Sequence, residues 1–210
     1  MKTDDLIELL VKDLVPWRFR SAVAGAVAGG VIIAAVLFFA GVGFRPDISE
    51  AMKSGRFLFK FIVTITLAVT AIWVTLSIGR PGGSLAYRGL ALSIAPALLA
   101  CAAAIELVML PESQWMPHLV GHNARVCLTL IPLLSIGPFA CLLAALRVGA
   151  PSSPGLAGAV AGLAASGIAA TFYAANCTDD SALFVMTWYS MATLIVTTAG
   201  YLLGSGLLRW

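Results

Sequence analysis

The chain has 210 residues, a net charge of +3, 60% hydrophobic residues and only 11% charged ones. With a mean hydropathy of +0.97, against about 25% charged residues in a soluble domain, it reads as an integral membrane protein. The length excludes two large domains, and the lack of a basic stripe argues against direct nucleic-acid binding.

Residues 1–15 carry four acids (Asp4, Asp5, Glu8 and Asp13) ahead of the first apolar run. A cleavable secretory signal starts basic, so this segment is not one. Thr3 can cap a short helix, with Asp4 and Asp5 in its first turn. Leu6, Leu9, Leu10 and Leu14 recur at helical spacing on one face, and Pro16 ends the segment. The expectation is an amphipathic cytoplasmic helix that docks into a partner's groove or rests on the membrane surface. Trp17, Arg18, Phe19 and Arg20 then form a basic, aromatic threshold to the membrane. This divides the chain into residues 1–20 and a transmembrane domain, residues 21–210.

Six apolar spans follow, near 21–43, 57–78, 89–110, 124–146, 155–175 and 182–204. Each has about 20 residues, enough to cross a hydrocarbon core of roughly 30 Å. The predicted fold is an all-α, polytopic six-helix bundle. Pro96, Pro132 and Pro138 fall inside spans and predict kinks. With the N-terminus inside, Lys2, Lys12, Arg18, Arg20, Arg80, Arg88, Arg147 and Arg209 lie inside. Arg45, Lys53, Arg56, Lys60 and Arg125 lie outside. Eight against five favours cytoplasmic termini. Gly25 and Gly29 are four apart, as are Gly158 and Gly162. Such pairs serve packing within one chain, and the first pair could also serve a homodimer.

Four cysteines are present. Cys101 and Cys141 sit inside apolar runs and read as small buried hydrophobes. Cys127 falls near the start of span four, after Asn123 as a candidate N-cap, with Arg125 close by. Both features would lower its thiol pKa. Cys177 sits in the polar interruption at residues 176–181, between spans five and six. Both thiols are expected at the water edge of the outer face. His118 and His122, with these thiols, Asp179 and Asp180, make a candidate thiophilic-metal site. Asp179 and Asp180 can instead cap span six. Glu106, near the outer end of span three, is an intramembrane acid and a functional candidate on that ground.

At these residues the chain resembles the NrsF-type membrane anti-sigma factors. The likeness rests on Met1 to Ile7 with Asp13-Leu14, and on Ala124 to Leu128 leading to Ile131-Pro132-Leu133-Leu134-Ser135. It rests also on Cys177-Thr178-Asp179-Asp180-Ser181 leading to Trp188-Tyr189. The resemblance implies a bacterial inner-membrane protein that holds an extracytoplasmic-function sigma factor inactive. That factor would be released on heavy-metal or oxidative stress, with Cys127 and Cys177 as sensing thiols. Asp179, Asp180 and Arg125 would support them, and Leu6, Leu9, Leu10, Asp13 and Leu14 would contact the sigma factor. Many members have His directly before the second cysteine, where this chain has Asn176; thiol chemistry survives that change better than ligation by that His. No catalytic residue or resident cofactor is expected, beyond a transient thiophilic metal ion. The rival readings are a membrane thiol-disulfide oxidoreductase, which would want a Cys-x-x-Cys pair, and a small transporter, which would want polar midplane groups.

Overall fold

The structure is a computed structural model that describes residues 16–79 and 88–208. Among these residues all regular structure is helical. The long helices are α1 (Pro16–Gly41), α3 (Gly55–Ile78), α4 (Ile94–Met109), α6 (Ala124–Leu146), α7 (Pro154–Ala174) and α9 (Ser190–Leu207). Short helices α2 (Ile48–Ala51), α5 (Trp115–Val120) and α8 (Ala182–Phe184) lie between them. A 3₁₀ segment, Arg88–Ser93, leads into α4, and a π-helical turn, Val185–Tyr189, joins α8 to α9. The six helical stretches Arg18–Gly41, Gly55–Ile78, Arg88–Met109, Glu112–Leu146, Pro154–Ala174 and Ala182–Leu207 are long and apolar enough to cross a membrane. The six-span expectation therefore holds. Pro16 opens α1, a position where a missing N–H costs nothing. The predicted amphipathic helix at residues 1–15 lies outside the described residues.

Helix α7 is the centre of the bundle. Of its apolar window 72% is buried, against 22% for the first span. Its sequence is mostly Gly and Ala, which lets neighbouring backbones come close where lipid supplies no hydrophobic drive between helices. A Cβ on Gly158 would collide with the backbone of Gly200 and Gly204 on α9. One on Gly162 would stand 2.7 Å from the Val196 carbonyl oxygen, and one on Gly167 would stand 2.7 Å from the Ala68 nitrogen on α3. Gly158 and Gly162 are thus used within the chain. Gly25 has open space around it, and the close approach of α1 falls instead at Gly30, against Pro138. α6 runs unbroken through Pro132 and Pro138.

The crossing of α7 and α9 yields a stability prediction. Gly158→Leu must push two backbones apart, since no flexible side chain is there to yield. Overpacking of this kind typically costs about 1–3 kcal/mol. A lower melting temperature in detergent is expected, while Gly25→Leu should melt like the parent protein. Equal melting of all three proteins would show that this crossing is not tight.

At the end of the bundle where α1 begins, Phe19 is buried. Its ring fills the space beside Gly79 and Gly149, where a Cβ on either glycine would collide with it. The Ala150 N–H donates to the Gly79 carbonyl at 3.2 Å. One side chain therefore gathers the start of α1, the end of α3 and the turn after α6.

The cysteines are not placed as expected. Cys101 is exposed on α4 and Cys141 is half-buried near Gly29. Apolarity alone does not separate a lipid-facing position from a protein-buried one, because lipid tails are as apolar as leucine. Cys127 and Cys177, expected at the water edge, are the buried pair.

Candidate functional site

Residues 176–181 connect α7 to α8 at the end of the bundle opposite Phe19, and side chains from several elements hold this loop. From α3, Lys60 donates to the Cys177 carbonyl at 2.9 Å and to the Asp179 carbonyl at 3.2 Å. The same ammonium pairs with Asp180 at 2.6 Å. From the connection after α1, Arg45 pairs with Asp180 at 3.0 Å and with Asp47 at 2.7 Å. Its backbone N–H donates to Ala175, and Asn176 donates to the Gly43 carbonyl at 3.1 Å. The Phe57 ring lies beneath both cations, 5.6 Å from Arg45 and 5.3 Å from Lys60. A Lys only 1% exposed is tolerable only with such partners, because a buried charge must be paired.

Asp179 reaches the other way, to the start of α6. The backbone N–H groups of His122 and Asn123 donate to its carboxylate at 3.0 Å and 2.8 Å. The Asn123 side-chain amide adds a third bond at 2.9 Å. Burial pushes the Asp179 carboxyl up, but these donors outweigh it and hold the group below the ordinary carboxylate range. Its contribution to stability is thus complete above that range and is lost only as the pH falls through the depressed value.

Glu106 on α4 closes the site. Its Oε2 accepts from the Ser181 hydroxyl at 3.0 Å and the Leu183 N–H at 3.1 Å. Its Oε1 lies 3.6 Å from Arg56 and 3.5 Å from His118. The expected capping roles are therefore redistributed. Glu106 supports the start of span six, Asp179 supports the start of α6, and Asp180 is spent on Lys60 and Arg45. Asn123 stands at the N-cap position of α6, but its side chain serves the loop and makes no cap bond.

The thiols lie beneath this polar layer. Cys127 and Cys177 are 0% and 1% exposed, and both are free. They belong to one apolar cluster with Tyr173, Phe184 and Tyr189. The two tyrosine rings are 5.7 Å apart, and their hydroxyls are buried in the same cluster as the thiols. Burial pushes the Cys177 thiol up, and nearby Lys60 only partly offsets that. A thiol held in this way is a slow nucleophile, since the thiolate is the reactive form.

Residues 10–210 match a family model described as NrsF, negative regulator of sigma F. The chain belongs to the NrsF family. It is 34% identical to the anti-sigma-F factor NrsF of Caulobacter vibrioides over 219 aligned residues, covering 100% of both chains. It is 32% identical to the probable anti-sigma-F factor NrsF of Azospira oryzae over 213 aligned residues, again covering 100% of both. No solved structure matches.

Within this NrsF-family chain, the structure brings Cys127, Cys177, Asp179 and Asp180 to one end of the bundle. It does not gather the histidines with the thiols. His118 faces Glu106, and His122 is exposed, with its ring 3.5 Å from Asp179. Among the described residues no group of three or more His, Cys, Asp or Glu could hold a metal ion. Arg125 is exposed and takes no part in the ion pairs above. Leu6, Leu9, Leu10, Asp13 and Leu14 lie outside the described residues. The sequence reading missed Lys60 and Arg45, although it held a usable signal. Lys60 falls inside an apolar span, where a charge needs a partner, and the loop at residues 176–181 carries two acids and no base.

Proposed function

We propose that this protein is a membrane anti-sigma factor. It holds a sigma factor of the extracytoplasmic-function class inactive at the cytoplasmic face of the inner membrane. It lets that factor go when Cys127 and Cys177, toward the outer face, are oxidised or take up a thiophilic metal. The observation that carries this reading is the likeness to two anti-sigma-F factors along the whole chain. The charge count supports cytoplasmic termini. No catalytic turnover is required.

The architecture supports a route between the two faces. Lys60 on α3 and the Asp179-bound start of α6 grip the thiol loop. The far ends of α3 and α6 meet on Phe19. Joining the two thiols removes two protons and two electrons, which a peroxide oxidant accepts as it is reduced to water. The loop must then rearrange, and α3 shifts against α6. A coupling of about 1–3 kcal/mol between two such sites changes affinity about 5–150-fold.

The test uses Cys127→Ser and Cys177→Ser with a sigma-dependent reporter. Both variants are expected to keep the reporter silent and to lose its induction by peroxide or cadmium. Normal induction in both single variants would eliminate thiol sensing. Reporter activity independent of this protein would eliminate the anti-sigma role itself.

A further inference from the structure

α1 rests mainly on α6 and α3 mainly on α7, so α1 and α3 run side by side with little direct contact. Between them lies a groove of about 610 Å³. Its walls are apolar, with Val27, Ala24 and Ala28 on α1 and Ile72 and Leu76 on α3. Ala24 and Ala28 give the α1 wall small side chains, and both are exposed. Arg20 stands at the end of the groove nearest the start of α1, and among the described residues no carboxylate lines it. Both walls are membrane-spanning helices, so the groove opens onto lipid rather than water.

We infer that this groove is a binding site for one anionic phospholipid, with an acyl chain between α1 and α3 and its phosphate on Arg20. The apolar walls select a hydrocarbon chain. The Arg20 guanidinium selects the charge of the headgroup, for which arginine has suitable donor geometry. The contrast with the opposite end is instructive. There Arg45 is already engaged by Asp47 and Asp180 and has no capacity for a lipid. A polybasic membrane-surface contact gains about fivefold in affinity for each basic residue near anionic lipid. The groove is lined from both α1 and α3, so an occupant would also brace one helix against the other.

The experiment is native mass spectrometry of the full chain, released from detergent and titrated with dioleoylphosphatidylglycerol or dioleoylphosphatidylcholine. The parent protein is expected to retain one phosphatidylglycerol with about fivefold preference over phosphatidylcholine. Arg20→Gln should bring the two lipids to parity. Ala28→Phe should abolish the retained adduct with either lipid, and Ala28→Leu supplies a second steric test should the larger side chain impair folding. Equal retention of both lipids by the parent, or an unchanged adduct in both Ala28 variants, would reduce the groove to ordinary boundary lipid and overturn the assignment.

Discussion

Asp180→Asn is expected to destabilise the folded protein by about 3–5 kcal/mol, the usual cost of removing one partner from a buried ion pair. Lys60 would keep only the carbonyls of Cys177 and Asp179, at 2.9 Å and 3.2 Å, and no counter-charge for an ammonium 1% exposed. Asp180 itself is 21% exposed, which places the effect toward the lower end. Lys60→Met should be milder, since Asp180 then retains Arg45 at 3.0 Å. The double variant should be more stable than Asp180→Asn alone, because the stranded ammonium is gone. Thermal melting in detergent measures all three. If Asp180→Asn melts with the parent, the loop is not held by this pair. The same variant should let a maleimide reach Cys177 sooner, since the carboxylate fixing the loop over the thiols has been lost.

The bundle itself was legible because an apolar run of bilayer length is rarely anything but a membrane span. The thiol loop stood out for the same reason, as a polar interruption of such runs. What a one-dimensional pattern does not carry is which face of a span meets protein and which meets lipid. Leu98 and Leu99 are neighbours in one apolar run, yet Leu98 is exposed and Leu99 buried. The partners of Asp179 and Asp180 were hidden differently. Each acid stands next to span six in sequence, and a local cap is the natural reading. The structure sends Asp179 to residues 122 and 123 and Asp180 to residues 45 and 60, long-range contacts that only the fold creates. Glu106 fills the capping role they left, from another helix. The positive charges near the thiol end weakened the topology count, and two of them, Arg45 and Lys60, have a structural use there.

Leu6→Asp or Leu10→Asp should leave the sigma factor active without any signal at the thiols. Leu6, Leu9, Leu10 and Leu14 make an apolar stripe at helical spacing on a segment too short to span a bilayer. A carboxylate placed in a docked apolar interface must be desolvated without a partner, so affinity should fall by about a hundredfold or more. That exceeds what signal-driven coupling ordinarily supplies, so release should no longer depend on Cys127 or Cys177. Insertion should survive, because the six spans are untouched, and expression at the membrane is the control. Pull-down of the sigma factor from detergent separates this from the alternative, a stripe that only rests on lipid. Capture at parental affinity by both variants would sink the docking claim. The contact would then move to the connections gathered at Phe19, where the end of α3 and the turn after α6 meet the start of α1.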